Sequence, residues 1–372
     1  MREDDVTALF ARNAIDLGGD IVASLEAVAR WRGPKRSPSL LRAMPRSWLD
    51  RAARGVRRVR LSDLWSETKA TTTKHPYDAS REFYRLLLGP NMLHSSATFV
   101  RGDETLDDAQ RLKLDRIARK LELRYGDDLL DLGCGWGSFL EHAATQIGAQ
   151  CLGTTLSRAQ FSEVSLRTES MRSAVRVLQR DFRELPDEAF DKIASIGTMD
   201  RLERSDLATY FDELGRRLRP GGLLLNQASV STGTGDALFG WFHLGPKLGR
   251  ASHRTCADTA ATRLSEVITA AERSGLEVRS VESLRRDHAR TLGHWLRNLE
   301  SHFVEAGDLV GVELARRWRL YLAVSVLHLR AGDLDVLEVL FAKPGPALER
   351  SRPSVRAPNI ERAKTGERLA IS

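Results

Sequence analysis

Three glycines at alternate positions, Gly133, Gly135 and Gly137, follow the apolar run Leu129-Leu130-Asp131-Leu132, and their types and spacing point to a ligand. The run reads as a buried parallel strand. Glycine lets the turn after it take left-handed backbone angles and approach a bound group closely. The spacing is Gly-x-Gly-x-Gly, with Asp131 two places ahead, not the Gly-x-Gly-x-x-Gly of dinucleotide sites. A nucleotide-type cofactor fits such a turn, and so does an ordinary strand-to-helix connection.

The flanking elements are those of a sheet that could carry the turn at its rim. Strands are predicted at Leu129–Leu132, Gln150–Thr154, Val175–Gln179, Lys192–Ile196, Gly222–Gln227, Leu276–Val281 and Val336–Phe341. Helices are predicted at Phe139–Ile147, Arg158–Arg172, Asp206–Leu218 and Ala260–Ser274. This alternation predicts an α/β, doubly wound, Rossmann-like sheet, with its last strand allowed to be antiparallel. A helical insertion over residues 283–330, carrying Trp295, Phe303, Trp318 and Tyr321, can roof the crevice at the carboxyl ends of the strands. Those aromatics could equally serve as packing between helices.

The 372 residues are 42% hydrophobic and carry a net charge of +7, enough for one large domain with accessory segments. The positive excess is uneven. Residues 30–60 hold eleven arginines and lysines relieved only by Asp50, with Trp31, Trp48 and Leu49 among them. Arginine with tryptophan suits an anionic lipid surface, although a solvated basic face has the same composition. We therefore divide the chain into a basic N-terminal helical segment (1–70), an α/β domain (71–343) and a disordered basic tail (344–372). Three cysteines without Cys-x-x-Cys spacing imply a reducing compartment, and no metal site is expected. Neither a secretory leader nor an apolar run of spanning length is visible, so the expected location is cytoplasmic, peripheral at the inner face of the membrane.

The turn resembles motif I of class I S-adenosylmethionine (SAM) methyltransferases, where it holds the methionine end of the cofactor. Further stretches resemble the cyclopropane-fatty-acyl-phospholipid synthase family, which includes the mycolic acid cyclopropane synthases. They are Tyr77–Tyr84, Met92–Phe99, Thr105–Lys113, Gly153–Gln160, Asp181–Arg183, Phe190–Gly197 and His288–Trp295, in the family's order. The resemblance implies methyl transfer from SAM to the double bond of an unsaturated acyl chain in a membrane phospholipid. Carried over position by position, Asp131, Gly133, Cys134, Gly135 and Gly137 form the turn around the cofactor. Ser95 stands near its methionine portion, Thr155 and Gln160 contact it beyond the second strand, and Asp181 and Phe182 lie near the adenine.

The acceptor side departs from that family. A cation formed on the acyl chain must lose a proton, from the new methyl to close a cyclopropane or from a chain carbon to leave a methyl-branched or methylene-bearing product. The family's base is a bicarbonate, and all five of its ligand positions differ here. Ser96, Asp200, Asn226, His288 and Ser325 stand in them, each still polar. Either Ser96, Asn226 and His288 still hold a small anion or water, or Asp200 or His288 takes the proton directly. The second reading is preferred, and His288 has the intrinsic pKa for it. Alternatives are a small-molecule N- or C-methyltransferase of the same family and an inactive lipid- or SAM-binding homologue. Nucleic-acid methylation is disfavoured because an Asn/Asp-Pro-Pro-aromatic motif is absent. The family precedent allows a homodimer, and a partner reductase could complete a saturated branch.

Overall fold

The computed structural model describes residues 19–32, 80–232 and 262–345. Its side chains are described from residue 19 to 26 and through the two longer stretches. The first helix, α1 (Ile21–Arg32), is followed by α2 (Arg81–Leu88), whose first turn is capped by the Ser80 hydroxyl accepting from Phe83 N–H, and by α3 (Leu106–Lys120), capped in the same way by Thr105. Then come β1 (Asp128–Leu132), α4 (Ser138–His142), β2 (Gln150–Thr155), α5 (Arg158–Arg167), β3 (Val175–Gln179) and β4 (Phe190–Ile196). The second half holds α6 (Leu207–Arg217), β5 (Leu218–Ser231), α7 (Leu264–Arg273) and β6 (Glu277–Ser283). It closes with α8 (Arg285–Ser301), α9 (Phe303–Val310), α10 (Val312–Ala331) and β7 (Leu334–Ala342).

The seven strands form one sheet in the order β3-β2-β1-β4-β5-β7-β6. β7 runs antiparallel to both neighbours, and the other pairings are parallel, as expected for a doubly wound sheet with a reversed last strand. The order turns back on itself between β1 and β4. That is the switch point where ligands of such sheets bind, and the glycine turn leaves β1 there.

Each predicted strand is present, most of them longer than expected. β5 grows most, because it spans 14 residues and pairs along nine positions with β7. Its start is irregular: Phe190 pairs with Leu218 but Lys192 with Leu223, so Arg219 to Gly222 are taken up in a bulge. The helix expected at Phe139–Ile147 begins as α4 and widens into a π turn over Ala143–Ile147, closed by Gly148 at φ +82°.

Two apolar layers cover the sheet, one on each face. A third core lies in the helical roof, where α8 and α10 pack together and α2 joins them. Ile21, Val22 and Leu25 of α1 are buried against this roof, so part of the predicted N-terminal segment is an integral piece of the fold. The remaining basic stretch and the tail beyond Gly345 lie outside the described residues, as do Tyr77 and Cys256.

Candidate active site

The glycine turn has the backbone that its composition predicted. Gly133, Gly135 and Gly137 all have positive φ, at +73°, +56° and +86°. A Cβ on Gly133 would lie 2.1 Å from Thr198 Oγ1, which donates to Leu132 O at 2.7 Å. One on Gly137 would lie 2.8 Å from Val164. At Gly135 nothing lies within 4 Å, so the turn is packed from below and open above, which is the cradle a cofactor needs. Cys134 N–H donates to Thr154 O at 2.8 Å and Gly133 N–H to Thr154 Oγ1 at 3.2 Å, tying the turn to β2. Burial pushes the Cys134 thiol well above its usual range, so this cysteine packs as a small apolar group.

Beyond β2, Thr155 Oγ1 donates to Gln160 Oε1 at 2.7 Å, with both side chains buried. The Ser157 cap of α5 holds the pair in place by accepting from Gln160 N–H. Asp181 caps the short turn Phe182–Glu184 and accepts from Arg183 N–H at 3.0 Å. The Phe182 ring is enclosed by its neighbours. It is 5% exposed, meets Tyr210 edge to face at 5.6 Å and carries the Arg183 guanidinium 4.6 Å over its centroid. It anchors the short turn in the core, with the arginine over its face.

Next to the turn, the segment Asn91–Ser95 lies over the start of α4, where the Ser138 hydroxyl donates to Asn91 O. Two buried side chains of α3 hold the segment. Gln110 Nε2 donates to Leu93 O at 3.3 Å and to Ser95 O at 3.1 Å, and Lys113 Nζ donates to Ser95 Oγ. Asp131 is 2% exposed; burial pushes its pKa up to about 7 and that of Lys113 down to about 7, each opposed by the partner's charge.

On the acceptor side, α8 presents His288, Thr291 and Trp295 at helical spacing along one face. Thr291 Oγ1 accepts from Ala97 N–H at 3.0 Å, which fixes the segment carrying Ser95 and Ser96 against α8. Ser96 is 1% exposed, with its hydroxyl donating to Ala97 O. His288 meets Trp295 edge to face at 6.3 Å, and His94 lies 5.0 Å from the same indole. Burial lowers the His288 pKa to about 4, assisted by the charge of Lys113. Its Nδ1 is buried with no hydrogen-bond partner. His94 falls to about 3 through burial and the charges of Arg201, His288 and Lys113. Both imidazoles are therefore neutral near pH 7.

Three of the five altered positions are engaged elsewhere or differently. Asn226 lies in a buried polar chain with Tyr210 and Met199: its Oδ1 accepts from Tyr210 O–H at 2.9 Å and its Nδ2 reaches Met199 Sδ at 3.6 Å. Tyr210 is further bound to Ser195, so Asn226 faces the α6 layer and not the Ser96–His288 group. The alternation of β5 decides this, because Leu224 and Ala228 share its face. Asp200 is 7% exposed and anchored, its carboxylate accepting from Ser229 N–H at 2.6 Å and from Ser229 Oγ at 3.3 Å. Ser325 is buried on α10, on the face that carries Trp318 and Tyr321. The structure thus brings Ser96 and His288 together around the α8 face and adds His94 and Lys113, which sequence reasoning missed. Both lay inside noted stretches, and the signal for Lys113 was a charged residue on an apolar stripe with Ala109, Leu114 and Ile117.

A glycine cradle at the switch point of this strand order, roofed by helices inserted before the reversed strand, defines a class I SAM-dependent methyltransferase. The profile of the mycolic acid cyclopropane synthetase family matches residues 65–339, and the chain belongs to that family. It is 36% identical over 287 residues to a probable fatty acid methyltransferase of Pseudomonas putida, covering 74% of this chain and 70% of that one. It is 29% identical to sphingolipid C9-methyltransferase 1 of Gibberella zeae, covering 72% of this chain and 52% of that one. The crystal structure of mycolic acid cyclopropane synthase CmaA1 complexed with SAH and CTAB superposes with a TM-score of 0.65 at 28% identity, covering 72% of this chain and 95% of that one. The protein is accordingly an enzyme that uses S-adenosyl-L-methionine to methylate lipids. Among the described residues, no helix is long and apolar enough to cross a membrane.

Proposed function

We propose that the enzyme methylates the double bond of unsaturated acyl chains in membrane phospholipids and leaves a methyl-branched or methylene-bearing chain. The observation that carries this reading is His288: a neutral imidazole on the roof, beside Trp295, whose buried Nδ1 has no protein partner. SAM supplies an electrophilic methyl group. The chain's residues have then to hold the alkene, exclude water and take one proton. A carbocation is acidic enough to be deprotonated by a base as weak as His288, and that base must be unprotonated when the cation forms. Asp200 is the more constrained of the two, because each of its oxygens already accepts a hydrogen bond from Ser229; its fixed negative charge can favour a cation nearby.

A bound bicarbonate is not needed under this reading. Asn226 is occupied in the core, so Ser96 and His288 remain as the altered positions, on the two elements that the Ala97–Thr291 bond joins. Ser95, Asp131, the three glycines, Thr155 and Gln160 surround the cofactor, with the Asp181 carboxylate toward the adenine. The Arg-rich stretch over residues 30–60 would concentrate the enzyme at the inner face of an anionic membrane, each cation there contributing roughly 1 kcal/mol. A homodimer and a partner reductase remain parts of this proposal.

The test is lipid analysis. The enzyme and a Gly135→Asp control are expressed in a bacterium rich in monounsaturated phospholipid, and fatty acid methyl esters are examined by mass spectrometry. Gain of one CH₂ with a double bond that still adds dimethyl disulfide is the expected result. The same gain with no reactive double bond means cyclopropanation, and unchanged lipids would remove acyl chains as the substrate.

A further inference from the structure

Lys113 is 1% exposed, an unusual position for an ammonium group, and neither acidic neighbour explains it fully. Glu338, also buried, already has Arg116 at 3.1 Å and Lys120 at 2.7 Å. Asp131 shares its charge with Lys113, yet the hydrogen bond from Lys113 goes to Ser95 Oγ. In its ammonium form, which the charges of Glu338 and Asp131 favour against desolvation, Lys113 can only donate, so Ser95 Oγ is the acceptor. The Ser95 hydroxyl hydrogen must therefore point away from α3. Gln110, 0% exposed, grips the Ser95 carbonyl from the same helix and stops the residue from turning. Ser95 itself is partly accessible and sits in the segment that lies over the glycine turn.

We propose that Lys113 is a positioning residue for the cofactor: it holds Ser95 with its hydroxyl hydrogen turned outward to the carboxylate of the methionine end. This rests on the reading that places Ser95 at that end. The carboxylate is the only anionic group on SAM or on S-adenosylhomocysteine (SAH). A serine already accepting from a cation is a stronger donor, because its hydroxyl is polarised along the bond. Burial of Lys113 keeps its charge from being screened and keeps water from competing for Ser95. The cofactor carboxylate would then complete a chain from Lys113 through Ser95 without touching a formal charge.

The test is titration calorimetry on the full chain with SAH and with decarboxylated SAH, which lacks only the carboxylate. Lys113→Met should weaken SAH binding by about tenfold or more, while decarboxylated SAH binds within about twofold of wild type. Ser95→Ala should show the same selectivity. The double variant should bind SAH no more weakly than Ser95→Ala, since the lysine acts through the serine. Equal weakening of both ligands by Lys113→Met, or no weakening of either, overturns the proposal. Unchanged SAH binding in Ser95→Ala overturns the placement of Ser95 itself, a different failure. Should Lys113→Met not fold, Lys113→Gln, which keeps a donor and loses the charge, must show the selective loss or the proposal falls.

Discussion

The cofactor side and the acceptor side of this site are built from different materials. The cofactor cradle is backbone: within one turn, three glycines at positive φ are packed from below by Thr198 and Val164 and open above Gly135. The acceptor side is made of side chains that converge from distant stretches, His94 and Ser96 from before the sheet and His288 and Trp295 from its late insertion. Backbone geometry tolerates few substitutions, because a Cβ added at Gly133 or Gly137 would lie below normal van der Waals distance from Thr198 or Val164. Side-chain clusters can be exchanged one polar group for another while the helices that carry them stay in place. That contrast accounts for a cofactor turn that matches its family and an acceptor site altered at five positions.

The largest effect should come from breaking the backbone half. Gly133→Val would drive a branched side chain into Thr198 at a φ that β-branched residues do not adopt, and SAH affinity measured by calorimetry should fall by more than about 100-fold. Retained affinity would show that the turn is not the cradle.

Next in size, His288→Ala should reduce kcat by about 10²–10⁴-fold with SAH affinity nearly unchanged, since only the acceptor side is touched. The pH profile sharpens the same point. With its pKa lowered to about 4, His288 stays neutral down to mildly acid pH, so the acid limb of kcat should lie near pH 4 and not near 6.5. The folded protein also binds fewer protons than the unfolded chain between about pH 4 and 6.5. Stability present above pH 6.5 is therefore lost as the pH falls through that window. Thermal unfolding should show a smaller acid loss in His288→Ala than in wild type.

The smallest catalytic effect is expected at Asn226. Asn226→Ala removes the acceptor of Tyr210 in the core, costing about 1–3 kcal/mol of stability while kcat changes less than a few-fold. A large loss of kcat at unchanged melting temperature would return Asn226 to the acceptor site.

Elements and cradle were legible in the chain because both rest on local patterns. Alternating apolar runs located every strand of the sheet, and Gly133, Gly135 and Gly137 announced their own backbone angles. The roof was legible as helical, yet which of its polar residues face the crevice was not. Asn226 and Gln227 are neighbours on one strand, and the pleat sends the first to Tyr210 and the second to Glu338. Position alone could not tell them apart. The surroundings of Phe182 were likewise hidden from the sequence, since only the fold brings Tyr210 and Arg183 against its ring.

The sequence by itself determined the strands and the turn, because periodicity and glycine spacing act over a few residues and need no distant partner, while the methyl donor followed from the resemblance of several spaced motifs to one family. Tertiary structure decided which side chains meet. His94 and His288 share one indole only because α8 folds back over the segment that Lys113 and Gln110 hold from below. Their loss of charge is likewise a property of that enclosure, as desolvation depends on neighbours brought together from every part of the chain.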